Sequence, residues 1–160
     1  MIITEKDLSD TRNKHRGEKI VLTSGTFDLL HVGHLHYLQS VKQYGDIVVV
    51  MLSGDARIQS RKGTKRPIIP EAERAELLDA LKVVDYVFID PGVNTSDQAD
   101  PIYSTILADL QPDMYVTDGE DIRLSRIIDK PKYVTLPRVD GGKYTSTSKI
   151  IDHINKMGQE

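Results

Sequence analysis

Two histidines three residues apart, His31 and His34, follow a short apolar run and open an amphipathic segment. Residues 20–22 are apolar and β-branched in character, and apolar residues recur at helical spacing over residues 35–44. The histidines therefore fall where a strand becomes a helix. The N–H groups of a first helical turn lack intrahelical partners and carry partial positive charge, so that position attracts anions. With Gly33 allowing close approach to the backbone, the pattern predicts a nucleotide phosphate site with two imidazole donors.

A cluster of cations follows the next apolar run and supplies a local positive field. Its members are Arg61, Lys62, Lys65 and Arg66. A charge run of this kind is usually a solvated loop, and we expect that for Arg61 and Lys65. Glu73 and Arg74 fall on the helix after the cluster, where we expect the pair to support the loop through salt bridges.

The elements that must position these residues alternate along the chain. Strand-like runs occupy residues 20–23, 46–52, 86–89, 114–117 and 133–136. Helical patterns occupy residues 34–44, 71–82, 101–110 and 146–156. This alternation predicts an α/β fold, a Rossmann-like three-layer sandwich with a five-stranded parallel sheet. In such sheets ligands bind beyond the carboxyl ends of the strands, where the strand order reverses, and the polar motifs fall at those ends.

Bulk properties narrow the class of protein. The length of 160 residues suits one domain, 1–160, with residues 1–18 as a lead-in arm or helix. A formal net charge of -3 without a long basic run argues against nucleic-acid or membrane-surface binding. The absence of cysteine excludes disulfides, thiolate metal sites and a cysteine nucleophile. No signal-peptide or membrane-span pattern occurs, so we expect a cytoplasmic protein.

Four motifs in a fixed order resemble the H-x-G-H nucleotidyltransferase superfamily, in particular its cytidylyltransferase-like branch. They are the segment 25–34, the segment 61–67, the segment 116–121, and residues 136–138 with 146–151. A lone H-x-G-H is weak evidence, whereas four ordered motifs that cover most of the chain are specific. The branch includes glycerol-3-phosphate cytidylyltransferase, the adenylyltransferase domain of heptose-phosphate enzymes and archaeal FMN adenylyltransferases.

The resemblance implies attack by an acceptor phosphate on the α-phosphorus of a nucleoside triphosphate, with pyrophosphate leaving. In that reading the catalytic residues are His31, His34, Lys62 and Arg138, with Lys62 in a mobile loop and Arg138 beside the departing pyrophosphate. Charge alignment supplies most of the rate in such a transfer.

The resemblance also assigns a nucleotide-binding set. Its members are Thr26, Phe27, Asp28, Gly33, Arg66, Asp118, Gly119, Glu120, Ser146, Thr147 and Ser148. Asp28 and the Ser146 run have an alternative role as helix caps. The segment from Asp118 departs from the family pattern, because an acidic residue occupies the usual glycine position. Mg²⁺ is implied as cofactor with ATP or CTP, and its protein ligands are left unassigned.

Several readings stay open at this point. Residues 54–74 resemble the heptose-phosphate adenylyltransferases and favour ATP with a heptose 1-phosphate-like acceptor, whereas residues 136–138 resemble the glycerol-phosphate cytidylyltransferases. The alternatives are an FMN adenylyltransferase, a non-catalytic nucleotide-binding regulatory module and, least favoured, a fragment of a class I aminoacyl-tRNA synthetase. A homodimer is expected from the resemblance alone.

Overall fold

The computed structural model describes residues 1–90, 92, 101–119, 132–137 and 146–158. Its strands form one parallel sheet with the order β1-β4-β3-β2-β5-β6. They are β1 (Ile2–Ile3), β2 (Ile20–Gly25), β3 (Ile47–Ser53), β4 (Tyr86–Asp90), β5 (Met114–Thr117) and β6 (Lys132–Thr135). The α/β Rossmann-like fold is confirmed.

Helices connect and cover the strands. They are α1 (Leu8–Lys14), α2 (Val32–Val41), α3 (Asp55–Lys62), α4 (Glu71–Asp79), α5 (Pro101–Thr105) and α6 (Thr147–Met157). Short 3-10 turns occupy Glu5–Asp7 and Lys42–Tyr44, and a π-helical turn, Ile106–Leu110, continues α5. None of the helices in the described ranges has the length and apolar character that crossing a membrane requires.

The two faces of the sheet carry separate apolar clusters, as a three-layer sandwich requires. On one face Leu22 packs with Leu8 of α1 and Leu110 of the π-helical turn. On the other face Val21 packs with Leu38 of α2 and Leu78 of α4. Because side chains alternate along a strand, neighbouring residues of β2 enter opposite layers.

The prediction of five strands is wrong, because β1 adds a sixth in the described chain. Only Ile2 and Ile3 form it, paired in register with Val87 and Phe88 of β4. Two residues give no alternation to detect in a sequence. Residues 1–18 contain this edge strand, a 3-10 turn and the helix α1.

The resemblance implies a loop position for Lys62, whereas the structure places Lys62 at the last residue of α3. This helix has few apolar residues, and Ile58 is its one buried hydrophobic side chain. Helical periodicity is consequently weak there. A helix at this point gives Lys62 a defined position relative to the sheet.

Strand β2 lies between β3 and β5, at the point where the strand order reverses. The chain leaves β2 toward β3 and β4 on one side, and it returns to β5 and β6 on the other. The crevice beyond the carboxyl end of β2 is therefore the expected place for a ligand.

Candidate active site

The turn after β2, residues 26–31 and called the β2 turn below, is held by a close contact between Gly25 and Phe27. Phe27 and Leu29 adopt left-handed backbone angles, with φ values of 47° and 49°. The Phe27 ring folds back on Gly25 so tightly that a Cβ there would lie 2.7 Å from Phe27 Cε2. Any larger residue at position 25 would have to displace the Phe27 ring. The Phe27 ring is buried in the core beneath the turn, where it supports His34, and its contact with a nucleotide stays a prediction.

The two histidines stand side by side at the start of α2. His31 is the N-cap residue, and its carbonyl accepts the backbone N–H of His34 at 2.9 Å. Their rings stack with centroids 3.8 Å apart and an interplanar angle of 17°. The edge of the Phe27 ring supports His34 from below, with centroids 5.2 Å apart. Gly33 follows Val32 within the first turn, where backbone N–H groups lack intrahelical acceptors.

Both imidazoles keep a buried nitrogen for which the structure supplies no partner. The Nδ1 atoms of His31 and His34 have no hydrogen-bond partner among the described residues. Buried polar atoms in proteins are normally satisfied, so a pair of them at a helix start points to a ligand. Neutral imidazole offers one donor and one acceptor, which suits a phosphate oxygen or a water bound to one.

Burial keeps these histidines uncharged. It lowers the pKa of His31, and it lowers the pKa of His34 to about 4, with the neighbouring His31 and Lys62 adding to the effect and Asp28 opposing it. At neutral pH each ring therefore enters a complex as a neutral hydrogen-bonding group. A bound polyanion would raise both pKa values and strengthen the contact.

Asp28 is buried and its carboxylate is already occupied by protein groups. It accepts the backbone N–H groups of Ile68 at 3.0 Å and Ile69 at 3.1 Å. Arg66 Nη2 lies 2.7 Å from Asp28 Oδ2. The helix-cap alternative does not hold, since His31 is the N-cap of α2. Asp28 instead fixes the segment that carries Arg66 against the β2 turn.

Two predicted cations reach the same turn. Lys62 Nζ donates to Thr26 Oγ1 at 3.4 Å, and this places an ammonium group beside the carboxyl end of β2. Arg66 Nε is buried and lacks a partner in the described part of the chain, while its Nη2 pairs with Asp28. Arg61 and Lys65 are exposed, as expected for solvated residues.

The start of α6 docks on the β2 turn across a large distance in sequence. Thr147 Oγ1 donates to the carbonyl of Asp28 at 2.5 Å. Ser146 is the N-cap, and its side chain accepts the backbone N–H of Lys149 at 3.3 Å, while Ser148 is exposed. Ser146 therefore caps α6, as the alternative role predicts, and the start of α6 lies beside the β2 turn.

Asp118 and Gly119 follow β5, the neighbour of β2, at the same edge of the sheet. The carbonyl of Gly119 accepts the hydroxyl of Tyr133 at 3.1 Å, and the Asp118 side chain is exposed. Glu120 and Arg138 lie outside the described residues. In the described ranges no group of three or more His, Asp or Glu side chains is arranged to hold a metal ion.

Arg74 is closer to the site than the sequence reading allowed. Its exposed neighbour Glu73 makes no described contribution, whereas Arg74 is 1% exposed and bonds to the carbonyl of Thr26. The signal was present in the sequence, since Arg74 shares the apolar face of α4 with Ala75 and Leu78. A charged residue on an apolar face requires partners inside the protein.

The β2 turn thus collects two neutral imidazoles, an ammonium group, a guanidinium group and two helix starts at one edge of a parallel sheet. All of them are hydrogen-bond donors or the positive ends of helix dipoles. Such groups can bind a triphosphate and stabilise the negative charge that shifts during phosphoryl transfer. The fold and the site together define a nucleotidyltransferase.

Comparison with known proteins gives the family. The cytidylyltransferase-like family model matches residues 22–139. The chain belongs to that family.

Known relatives and structures agree with this assignment. The bifunctional protein HldE of Geobacter metallireducens is 44% identical over 144 residues, which cover 88% of this chain. The match covers only 28% of that relative, so this chain corresponds to a part of it. A lipopolysaccharide core biosynthesis protein from Thermoplasma volcanium superposes with a TM-score of 0.62 at 28% identity, covering 78% of this chain and 100% of the other. Pantoate-beta-alanine ligase from Francisella tularensis, at 16% identity and a TM-score of 0.64, shares the fold over 100% of this chain and 78% of its own.

Proposed function

We propose that this chain transfers AMP from ATP to a sugar 1-phosphate of the heptose 1-phosphate type and releases pyrophosphate. The observation that carries the proposal is the stacked pair His31 and His34, each with an unpartnered buried nitrogen at the start of α2. Among the described residues, no protein group forms a hydrogen bond with either Nδ1 atom. A phosphate chain explains both nitrogens at once.

Each group at the turn has a task in that reaction. The imidazoles donate to oxygens of the triphosphate, directly or through water, and their hydrogen bonds strengthen as negative charge moves toward the leaving group. Lys62, held 3.4 Å from Thr26, approaches both reacting phosphates as a compact point charge. The start of α6, beside Asp28, receives the departing pyrophosphate with its backbone N–H groups. The chain forms no covalent intermediate; it aligns two polyanions.

Mg²⁺ belongs to the proposal as a companion of the triphosphate. The carboxylate nearest to the turn, Asp28, is occupied by Arg66 and by backbone N–H groups. The described residues therefore do not provide a set of protein ligands for the ion. Mg²⁺ commonly retains several waters and binds through substrate phosphates, so we expect it to enter with ATP.

ATP and a sugar phosphate are favoured over the other substrates by the similarity of this chain to the heptose-phosphate adenylyltransferases. The segment 54–74 resembles the heptose-phosphate adenylyltransferases, and this segment contains α3, Lys62, Arg66 and Arg74. The relative HldE matches nearly the whole chain. CTP with a polyol phosphate and ATP with FMN are the alternatives within the same reaction. A cytoplasmic homodimer remains the expected setting.

The test is pyrophosphate release in the presence of Mg²⁺, with ATP and CTP each offered to heptose 1-phosphate, other sugar phosphates, glycerol 3-phosphate and FMN. We expect turnover with ATP and a sugar 1-phosphate. Turnover with CTP or with FMN instead would replace the proposed substrates but keep the reaction. Tight ATP binding without pyrophosphate release from any pair would favour a regulatory module.

A pair of lysine variants ties any turnover to the described site. Lys62→Ala removes the ammonium beside Thr26, and Lys65→Ala removes an exposed ammonium three residues further on. We expect Lys62→Ala to lose most of the rate and Lys65→Ala to retain it. Equal losses would show that only the overall positive field matters.

A further inference from the structure

Arg74 is a fully buried cation whose donors are all directed at the frame of the site. Its Nη1 donates to the carbonyls of Thr26 at 2.6 Å and Ser53 at 2.9 Å. Its Nε donates to the carbonyl of Ile69 at 2.8 Å, and its Nη2 pairs with Asp55 Oδ1 at 2.6 Å. One planar guanidinium group thus joins α4 to three segments of the chain: the turn after β2, the junction of β3 with α3, and the segment before α4.

The four residues that accept hydrogen bonds from Arg74 lie around the carboxyl ends of β2 and β3. Thr26 directly follows β2, and Ser53 ends β3, where it still pairs with Asp90 of β4 although the register between β2 and β3 has ended at Gly25 and Leu52. Asp55 is the first residue of α3, and Ile69 belongs to the segment that Asp28 holds. Arg74 therefore links the Thr26 and Ser53 carbonyls at the point where the register between β2 and β3 no longer fixes their spacing.

The position of Lys62 depends on the same contact. Asp55 is the first residue of α3 and Lys62 is the last, so a rigid helix about 12 Å long connects the residue that pairs with Arg74 to Lys62. A second bond reinforces its start, because the backbone N–H of Asp55 donates to Glu71 Oε2 at 2.6 Å. A small displacement at Asp55 is carried to the other end of the helix, next to Thr26.

Stability alone is a weak reason for such a group. Replacing a buried ion pair with apolar side chains of similar volume is often neutral or stabilising, because desolvation offsets the attraction. A planar fork that holds several carbonyls at set distances offers geometric precision that neither an apolar group nor a lysine can reproduce.

We propose that Arg74 is a positioning residue that sets the separation between the Lys62 ammonium and the β2 turn, and that it thereby controls the rate of the transfer step. The inference rests on the proposed function, since it gives Lys62 its reacting partner. Arg74 itself touches no substrate. Its contribution is to the alignment of groups that do.

The test compares Arg74→Lys with Arg12→Lys. Arg12 is the control, because it lies at the other end of the strands, near the start of β5. It donates hydrogen bonds to the carbonyls of His15 and Glu18 and pairs with Asp113 at 3.0 Å. Both variants keep the charge and lose the fork. A misplacement of about 1 Å costs about 100-fold in rate. We therefore expect kcat to fall about 100-fold in Arg74→Lys with KM for ATP changed less than about 3-fold, and both to stay near wild type in Arg12→Lys.

A second readout does not depend on turnover. The wild type and both variants are acetylated with N-hydroxysuccinimide acetate, with and without saturating ATP and Mg²⁺, and modification of Lys62 is measured by mass spectrometry. We expect ATP to protect Lys62 from acetylation in the wild type and in Arg12→Lys. In Arg74→Lys, ATP should still bind, as measured by calorimetry, but should no longer protect Lys62.

The outcomes separate the two proposals. If the wild type releases no pyrophosphate but ATP protects Lys62 in it, the proposed function fails and the protection pattern alone decides the role of Arg74. Wild-type kcat or wild-type protection in Arg74→Lys overturns the positioning role. A lack of protection in the wild type also overturns it, because Lys62 would then not face the nucleotide.

Discussion

Replacing His34 with alanine should separate catalysis from stability. The His34 Nδ1 has no partner among the described residues, so the substitution breaks no protein hydrogen bond at that atom. It does remove the stack on His31, with centroids 3.8 Å apart, and the edge contact with Phe27, at 5.2 Å. Aromatic contacts contribute about 0.5–1.5 kcal/mol each, so the free energy of unfolding should fall by about 1–3 kcal/mol. Loss of one donor to the shifting charge should lower kcat about 100- to 1000-fold.

Two assays and one control check this pair of numbers. Pyrophosphate release gives kcat, and urea unfolding gives the free energy of unfolding. His36→Ala is the control, because it removes the same residue type from the same helix two positions away. A His34→Ala protein with kcat within about 3-fold of wild type would refute the assigned role. A rate loss fully explained by unfolded protein would refute it equally.

Three further results are expected. The pKa of His34 is about 4 in the folded protein, below the usual value of 6.5, so the unfolded chain binds the proton first as the pH falls. The free energy of unfolding should therefore decrease as the pH falls between these two values. An NMR titration of His34 should show the low midpoint. Asp28→Asn leaves Arg66 without its buried partner, and urea unfolding should show a loss of about 3–5 kcal/mol, with less than 1 kcal/mol contradicting the described contact. Gly25→Ala forces a Cβ to within 2.7 Å of the Phe27 ring, so thermal unfolding should occur at a lower temperature and calorimetry should show weaker ATP binding, whereas unchanged binding would show that the turn adapts.

The sequence predicts the candidate site because the residues of its central motif are close together in the chain. His31, Gly33 and His34 lie within one helical turn, and a strand-to-helix junction is visible from periodicity alone. The sequence predicts that the segment of Thr147 and the segment of Asp28 lie in the same cleft, but it does not predict the hydrogen bond between them. The fold class followed from the alternation of strands and helices, since each strand of β2 to β5 is long enough to show a pattern.

What the sequence did not show depends on contacts between distant segments. Strand β1 has two residues and forms only because β4 offers an open edge. Helix α3 is polar, and its start is fixed by Arg74 and Glu71 instead of by an apolar stripe. The engagement of the Asp28 carboxylate by Ile68 and Ile69 likewise needs a segment 40 residues away. Local preference carries no information about such partners.

The contact between Thr147 and Asp28 spans 119 positions of the chain. Contacts of that separation form late, because the entropy of closing a long loop must be overcome before they contribute. Until the start of α6 has docked on Asp28, the anion site at the end of β2 is incomplete. ATP should therefore act on refolding protein chiefly by slowing unfolding of the finished state, with little effect on the folding rate. Nucleotide binding would then report that the polypeptide has reached its final topology.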